Sequence, residues 1–236
     1  MILPLLKNIS TKGYSETVSK CMERLERKIK TSIFTPNSEM LYKASRSREL
    51  QELLLSADLL FPDGIGVFAA VKALGVEPKE RTAGIELAEL IMKSASKYGY
   101  KVFLLGSRPG VAAKASKQLQ NKYQGLKICG YHHGYFSKSG NENRKIIEKI
   151  NHSKADILFV CLGFPEQEKW ISDNLKKLKT VKLAIGLGGS LDVWSGCIKR
   201  APHALRVARL EWAWRMLREP KRLKDLPSLA RFYWKT

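Results

Sequence analysis

The sequence predicts an α/β fold in which helices flank a mostly parallel sheet, and two observations support this fold class. Helical and extended patterns alternate from the first residues to about residue 195, as expected for strands joined by covering helices. In addition, four strand patterns are nearly continuous apolar runs, which are typical of interior strands in a parallel sheet. These runs are Lys101–Leu105, Leu126–Cys129, Ile157–Leu162 and Val181–Ile185.

The other predicted elements lie before residue 100. Ser15 is placed to cap a helix whose apolar face runs to Ile29. Ser32–Phe34 is a predicted strand, and the turn Thr35–Glu39 that follows can cap the next helix. A second strand is predicted at Ala57–Phe61, and helical patterns cover Glu49–Leu55, Gly66–Leu74 and Ile85–Tyr98.

Each of the four apolar runs is followed by a loop that contains glycine. The loops are Gly106–Gly110, Gly130–Tyr135, Gly163–Pro165 and Gly186–Ser190. The carboxyl ends of parallel strands meet at one edge of a sheet, and ligands of open α/β sheets bind there. We therefore expect a Rossmann-like sheet with its binding site at this edge.

Asp63 is the first candidate for a catalytic group. It lies in Pro62-Asp63-Gly64, directly after the predicted strand Ala57–Phe61. Proline cannot extend a central strand, and glycine lets the backbone approach a ligand closely, so the carboxylate is expected beside a cleft. Asp before Gly is also common turn chemistry, and the motif alone leaves the two interpretations equal.

The charge of the chain points to an anionic partner. Its 236 residues include 42 Lys or Arg and 22 Asp or Glu, for a net charge of +20. Nucleic acid, an acidic lipid surface and phosphorylated substrates all fit this sign. The four cysteines are widely spaced, as in reduced cytosolic proteins, and no histidine or cysteine has the spacing of a metal site.

The last part of the chain differs from the rest, and we expect two units, a catalytic domain over 1–198 and a helical basic appendage over 199–236. The appendage contains 11 Lys or Arg, three Asp or Glu and three of the five tryptophans. Leu205 and Trp212 share a helical face, whereas Arg215 and Arg218 lie on another. No leader or membrane-spanning run is recognisable, so contact with a bilayer is expected from one side only.

Four further motifs suggest binding residues. The glycine loops lack the fingerprints of dinucleotide and P-loop sites, but amides of Gly106–Gly110 before a helix could hold a diphosphate. Gln167 has an amide that suits a sugar, Asp192 could accept ribose hydroxyls, and Arg81 matches phosphate. Three of the four have a plain alternative: a strand-to-helix turn for the loop, a helix cap or salt bridge for Asp192, and surface charge for Arg81. Glu166 and Glu168 lie in the first turn of the predicted helix, where acids interact favourably with the helix dipole, and this gives them a structural role.

Taken in order, five motifs resemble the WecG/TagA/CpsF family of bacterial glycosyltransferases, over nearly the whole chain. They are Thr35-Pro36-Asn37, Pro62-Asp63-Gly64, Arg81 with Gly84, Gly163 to Trp170, and Gly188 to Asp192 continuing to Lys199-Arg200-Ala201-Pro202. Departures are Glu166 where a basic residue is usual, Ala83 where Thr or Pro is common, and Leu191 where Phe is common.

The resemblance implies an inverting, metal-independent transfer without a cofactor. The donor would be UDP-N-acetylmannosamine, or the uronate of that sugar in a surface polysaccharide pathway. The acceptor would be the 4-hydroxyl of N-acetylglucosamine on undecaprenyl diphosphate, in synthesis of the teichoic acid linkage unit. The enzyme would be cytoplasmic, attached peripherally to an anionic membrane surface at the inner face, and possibly a homo-oligomer.

It also implies roles for named residues, with Asp63 as the general base that takes the proton of the acceptor hydroxyl. Residues that bind substrate would be Thr35, Asn37, Arg81, Gly106, Ser107, Tyr135, Gly163, Gln167, Asp192, Arg215, Arg218 and Arg222.

Two other function classes compete with this interpretation. A nucleic-acid-binding protein would explain the charge and the aromatic residues, but no recognised binding module is present, and the amphipathic tail fits a membrane interface better. A nonenzymatic membrane adaptor would share the tail but would not need Asp63 or the glycine loops. Release of UDP separates the enzyme from both.

Overall fold

The computed structural model describes residues 3–202, 204–205, 211 and 213–214, and within them one six-stranded sheet. The strands are β1 (Thr31–Phe34), β2 (Leu59–Leu60), β3 (Lys101–Gly106), β4 (Lys127–His132), β5 (Ile157–Cys161) and β6 (Leu183–Gly186). Their order across the sheet is β2-β1-β6-β5-β3-β4, and every pairing between them is parallel.

Ten α-helices are described within these residues. They are α1 (Leu3–Asn8), α2 (Tyr14–Glu26), α3 (Ser38–Ser45), α4 (Arg48–Leu55), α5 (Ile65–Ala73), α6 (Gly84–Tyr98), α7 (Val111–Lys122), α8 (Gly140–Ser153), α9 (Glu166–Asn174) and α10 (Ser190–Trp194). A short 3-10 helix, Leu175–Lys177, follows α9.

The sheet separates two hydrophobic clusters, because successive side chains of a strand point to opposite faces. Phe103 and Leu105 of β3 pack with residues of α1, α3, α4, α5, α8 and α9. Val102 and Leu104 of the same strand pack with residues of α2, α6, α7 and α10. The protein is therefore a three-layer α/β/α structure, and the predicted Rossmann-like fold class is confirmed.

The topology places a switch point between β3 and β5. From β3 the chain moves outward to β4, whereas from β5 it moves in the opposite direction to β6. The loops after these two neighbouring strands therefore diverge, which opens a crevice at the carboxyl edge. At this point Gly106, with φ +136°, passes so close to the carbonyl of Cys161 that a Cβ would not fit.

Most predicted elements are present, with small shifts at their ends, but two details were wrong. Gly13, not Ser15, is the N-cap of α2. The run Leu126–Cys129 was expected in the interior of the sheet, yet β4 is an edge strand and is only partly buried. An edge strand pairs with a neighbouring strand on one side only. Its other side has no strand beside it, so its residues are less buried than those of an interior strand. The cap predicted in the turn Thr35–Glu39 is confirmed, since Asn37 accepts a hydrogen bond from the Met40 N–H.

The predicted appendage falls largely on residues outside the described ones. This applies to Arg215, Arg218 and Arg222, and to most of the apolar face that includes Trp212. In the part of the chain that is described, no helix is long and apolar enough to cross a membrane.

Candidate active site

The carboxyl edge of the sheet brings together most of the predicted site residues. Thr35 follows β1, Asp63 follows β2, and Gly106 ends β3. The loops after β5 and β6 add Gly163 and the segment that leads to Asp192. Residues as far apart in the sequence as Thr35 and Asp192 thus meet at one edge, as the parallel topology predicted.

Asp63 is partly exposed at this edge, and the backbone around it is fixed. Its N–H donates to the carbonyl of Pro36 at 3.0 Å, and the N–H of Gly64 donates to Thr82. The Oδ1 of Asp63 accepts a hydrogen bond of 2.9 Å from the N–H of Gly84, the first residue of α6. The positive end of the helix and this N–H both favour the charged carboxylate.

Thr35 links the loop after β1 to two neighbouring segments. Its Oγ1 donates to the carbonyl of Gly186 at the end of β6, at 2.8 Å. On its other side Gly84 packs so tightly that a Cβ there would lie 2.9 Å from the Cβ of Thr35. Thr35 is buried, so its observed contacts are within the protein.

A network of charged and polar side chains lies beside Asp63 at the start of α6. Glu86 accepts from the hydroxyl of Tyr14 at 2.6 Å on one oxygen and from Arg200 at 2.7 Å on the other. Arg200 also donates to Glu211 at 3.2 Å, and Glu211 lies 3.9 Å from Arg81. The network therefore connects the segment after residue 198 with Arg81, the residue predicted to bind phosphate.

The network shifts the pKa values of its buried members. Burial raises the pKa of Tyr14 strongly, and the hydrogen bond to Glu86 adds to the effect. Burial opposes the charge of Arg200, but Glu211 and Glu86 outweigh it and raise the pKa of the guanidinium. Arg200 thus stays charged and Tyr14 neutral, with the Tyr14 oxygen also accepting from the N–H of Ala83 at 2.6 Å.

Ser107 and Asp192 join the loops on the other side of the edge. Ser107 adopts φ +57°, which a non-glycine residue rarely does, and its Oγ donates to Asp192 Oδ1 at 2.9 Å. Its backbone bridges two loops, donating to Cys161 and accepting from Gly134. Arg108 lies 4.0 Å from the same Asp192 oxygen. Backbone strain at a sheet edge is typical of a functional site.

Gln167 and Glu168 lie beneath the loop that follows β6. Gln167 is buried; its Oε1 accepts from the N–H of Gly188 at 2.9 Å, and its Nε2 donates to Glu168 Oε1 at 2.8 Å. The N–H of Gln167 donates to the carbonyl of Gly163, which has φ +83°. Both ends of the Gln167 amide thus contact the protein itself.

The environment of Glu168 is not the one expected for an acid in a first helical turn. Its side chain is fully buried, and burial raises its pKa to about 7, although the hydrogen bond from Gln167 lowers it in part. Its role is therefore not only the favourable interaction with the helix dipole that the sequence suggested, because burial favours the protonated form of the carboxyl. Glu166, in the same turn, is exposed.

Tyr135 is the most exposed of the predicted site residues that are described, at 68%. Its N–H donates to His133 at 3.2 Å within the loop after β4. Among the described residues, no group of three or more His, Cys, Asp or Glu side chains is placed to hold a metal ion.

Sequence reasoning missed the roles of Tyr14, Glu86 and Arg200. Tyr14 and Arg200 lie 186 positions apart in the sequence, so no local pattern connects them. Two signals were available: Arg200 lies in the motif Lys199-Arg200-Ala201-Pro202, and Glu86 lies in the first turn of α6, three residues after Ala83. Acids in a first helical turn are usually exposed, so the position of Glu86 alone did not predict a buried network.

The chain is similar to known proteins over most of its length. A profile of the glycosyl transferase WecG/TagA/CpsF family matches residues 4–236. A Bacillus spizizenii protein named N-acetylglucosaminyldiphosphoundecaprenol N-acetyl-beta-D-mannosaminyltransferase is 34% identical over 85% of this chain and 76% of its own length. A Bacillus subtilis protein of the same name is 33% identical over 88% and 79%, respectively. A Staphylococcus aureus protein of that name is 36% identical over 86% and 78%.

Proposed function

The chain belongs to the WecG/TagA/CpsF family of glycosyl transferases, and from this premise we propose which sugar it moves and to what. The donor is UDP-N-acetylmannosamine, and the acceptor is the 4-hydroxyl of N-acetylglucosamine on undecaprenyl diphosphate. The names of the Bacillus and Staphylococcus relatives support both the transferred sugar and the lipid acceptor. The product is then the disaccharide of a teichoic acid linkage unit.

The position of Asp63 is the observation that carries the mechanism. Direct displacement with inversion needs one base on the acceptor side, which removes the hydroxyl proton as the new glycosidic bond forms. Asp63 is partly exposed at the ligand edge, and the Gly84 N–H holds one of its oxygens at 2.9 Å. The Asp63 carboxylate is the group that accepts the proton of the acceptor hydroxyl.

The departing UDP requires positive charge and N–H donors, because negative charge develops on its diphosphate. Arg81 supplies charge, and its neighbour Thr82 is hydrogen-bonded to Pro62 and Gly64 on either side of Asp63. The Gly106 to Gly110 loop leads into the N-terminus of α7, a 12-residue helix. Thr35, hydrogen-bonded to Gly186 at the end of β6, and Asn37, the N-cap of α3, are proposed to contribute to the same site. Arg215, Arg218 and Arg222 are proposed to complete this diphosphate site without a metal ion.

The nucleoside is proposed to lie on the other side of the crevice. Asp192, oriented by Ser107 at 2.9 Å, accepts ribose hydroxyls, and the exposed ring of Tyr135 is available for stacking on the base. Gly163 and Gln167 form the floor between the two halves of the donor.

The basic segment 199–236 is proposed to hold the enzyme against the membrane that carries its acceptor. Each basic side chain near an anionic leaflet contributes about 1 kcal/mol, and interfacial tryptophans anchor an apolar face. In a flotation experiment the protein should rise with vesicles of phosphatidylglycerol, and it should not rise with vesicles of phosphatidylcholine. Deletion of 199–236 should abolish flotation and turnover of a membrane-bound acceptor; full turnover by the deletion variant would contradict this role.

A donor panel tests the proposed reaction. UDP-N-acetylmannosamine, UDP-N-acetylmannosaminuronate, UDP-N-acetylglucosamine and UDP-N-acetylgalactosamine are each incubated with a short-chain polyprenyl-diphosphate-N-acetylglucosamine. We expect acceptor-dependent UDP release with the first donor only, and a product of β configuration by NMR. Release with the uronate alone would reassign the donor, and release with none would remove the proposal.

A further inference from the structure

Glu168 is a buried carboxyl that the proposed mechanism does not use. It lies in the first turn of α9, its side chain is fully buried, and its Oε1 accepts a hydrogen bond of 2.8 Å from Gln167. Among the described residues, no hydrogen-bond partner reaches its Oε2. A buried carboxyl with one unsatisfied oxygen costs free energy, so its presence calls for a compensating role.

The contacts of Gln167 indicate that role. An amide side chain presents an oxygen at one end and an NH2 group at the other, and rotation by 180° exchanges them. The Gly188 N–H needs an acceptor, and Glu168 Oε1 needs a donor. Only one orientation of Gln167 satisfies both, with Oε1 at 2.9 Å from Gly188 and Nε2 facing Glu168.

The surroundings leave little space for another arrangement. A Cβ at Gly186 would lie 3.0 Å from Gln167 Nε2 and 3.3 Å from Glu168 Oε1. The carbonyl of Gly186 is in turn held by Thr35 Oγ1 at 2.8 Å. The end of β6 is therefore packed between Thr35 on one side and the Gln167–Glu168 pair on the other.

We propose that Glu168 is a positioning residue, which orients the Gln167 amide and through it fixes the loop Gly188–Gly189 at the donor site. The inference deepens the proposed function, on which its effect on UDP binding rests. The raised pKa of Glu168, about 7, is consistent with this role, because a neutral carboxyl still offers Oε1 as an acceptor. Glu168 does not touch substrate and acts only through Gln167.

Two variants separate the acceptor role from simple space filling. Glu168→Gln keeps an oxygen that accepts from Gln167, whereas Glu168→Leu keeps much of the volume but has no acceptor. Hydrogen exchange is measured on the peptide that contains Gly188, and UDP affinity is measured by calorimetry. For Glu168→Leu we expect exchange about tenfold faster and affinity about tenfold weaker, the effect of losing one buried hydrogen bond.

The conservative variant provides the rescue. Glu168→Gln should match the wild type within about twofold in both measurements. The proposal is overturned if Glu168→Leu folds and protects Gly188 as the wild type does, or if Glu168→Gln is as impaired as Glu168→Leu. Exchange at Gly188 needs no ligand, so absence of UDP binding in the wild type would count against the proposed function alone.

If Glu168→Leu does not fold, an exchange of the two side chains replaces it. In Gln167→Glu the buried positions 167 and 168 both carry acids, and exchange is measured at high pH, where neither ionised carboxylate can donate to the other. In the double variant Gln167→Glu/Glu168→Gln, the amide at position 168 donates instead. Protection of Gly188 should fall in the single variant and return in the double variant; equal protection in the two would overturn the proposal.

Discussion

The carboxylate of Asp63 accepts a hydrogen bond of 2.9 Å from the backbone N–H of Gly84, 21 residues further along the chain. This contact places the acid at the positive end of α6, where both the N–H and the helix dipole stabilise its charge. It holds the proposed base in one position at the edge of the sheet.

Asp63→Asn should therefore remove turnover and keep the fold. The asparagine oxygen can still accept from Gly84, but the amide cannot take a proton from the acceptor hydroxyl. We expect kcat for UDP release to fall by about 10²–10⁴, with UDP affinity within about twofold of the wild type. Asp58→Asn, at a carboxylate paired with Arg24 away from this edge, is the control and should turn over normally. Normal turnover in Asp63→Asn would show that another group is the base.

Thr35→Val should destabilise the protein, because the substitution is nearly isosteric but removes the donor to Gly186. The buried carbonyl then loses its Thr35 partner, at a cost of about 1–3 kcal/mol in the free energy of unfolding. Urea denaturation measures this cost. Thr35→Ser keeps the hydroxyl and should lose less; a Thr35→Val variant as stable as the wild type would show that the hydrogen bond to Gly186 adds no stability.

Arg200→Ala should cost about 2 kcal/mol of stability, because Glu86 and Glu211 would each lose a positive partner in a partly buried site. The side chain of Arg200 is only 17% exposed. Arg48→Ala is the matched control: it removes an arginine paired with Glu52 whose side chain is 91% exposed, and should cost far less stability than Arg200→Ala. Thermal unfolding of both variants gives the comparison, and equal shifts in melting temperature would mean that the network adds no stability.

Stability should depend on pH through Glu168. Its pKa rises from 4.5 in the unfolded chain to about 7 in the folded protein, because the carboxyl is buried. The folded state therefore holds the proton more tightly, and stability falls as pH rises from about 4.5 through 7. Glu168→Gln does not titrate, so its stability relative to the wild type should increase over this window, by up to about 3 kcal/mol.

Denaturation of both proteins at pH 5 and pH 8 checks this prediction. All other titrating groups are shared, so the difference between the two proteins isolates residue 168. A difference that stays constant between the two pH values would mean that Glu168 remains ionised in the folded state.

Much of the fold could be predicted because its signals are local. The apolar run Ile157–Leu162 became β5, and the Thr35–Glu39 turn contains the cap of α3 at Asn37. The sequence also indicated the loops at the carboxyl edge, since parallel strands direct their ends to one side. Edge and interior strands could not be told apart, because β4 has an apolar run like its neighbours but pairs on one side only.

The sequence by itself determined the elements, their parallel arrangement and the order of motifs that identifies the family, because periodicity, glycine and proline act over a few residues. Only the tertiary structure decided which partners these residues have. Tyr14, Glu86 and Arg200 meet from distant parts of the chain, and Glu168 is buried although it occupies a helix turn where acids are normally solvated. Long-range contacts and burial depend on how the layers pack, and no local pattern encodes that packing.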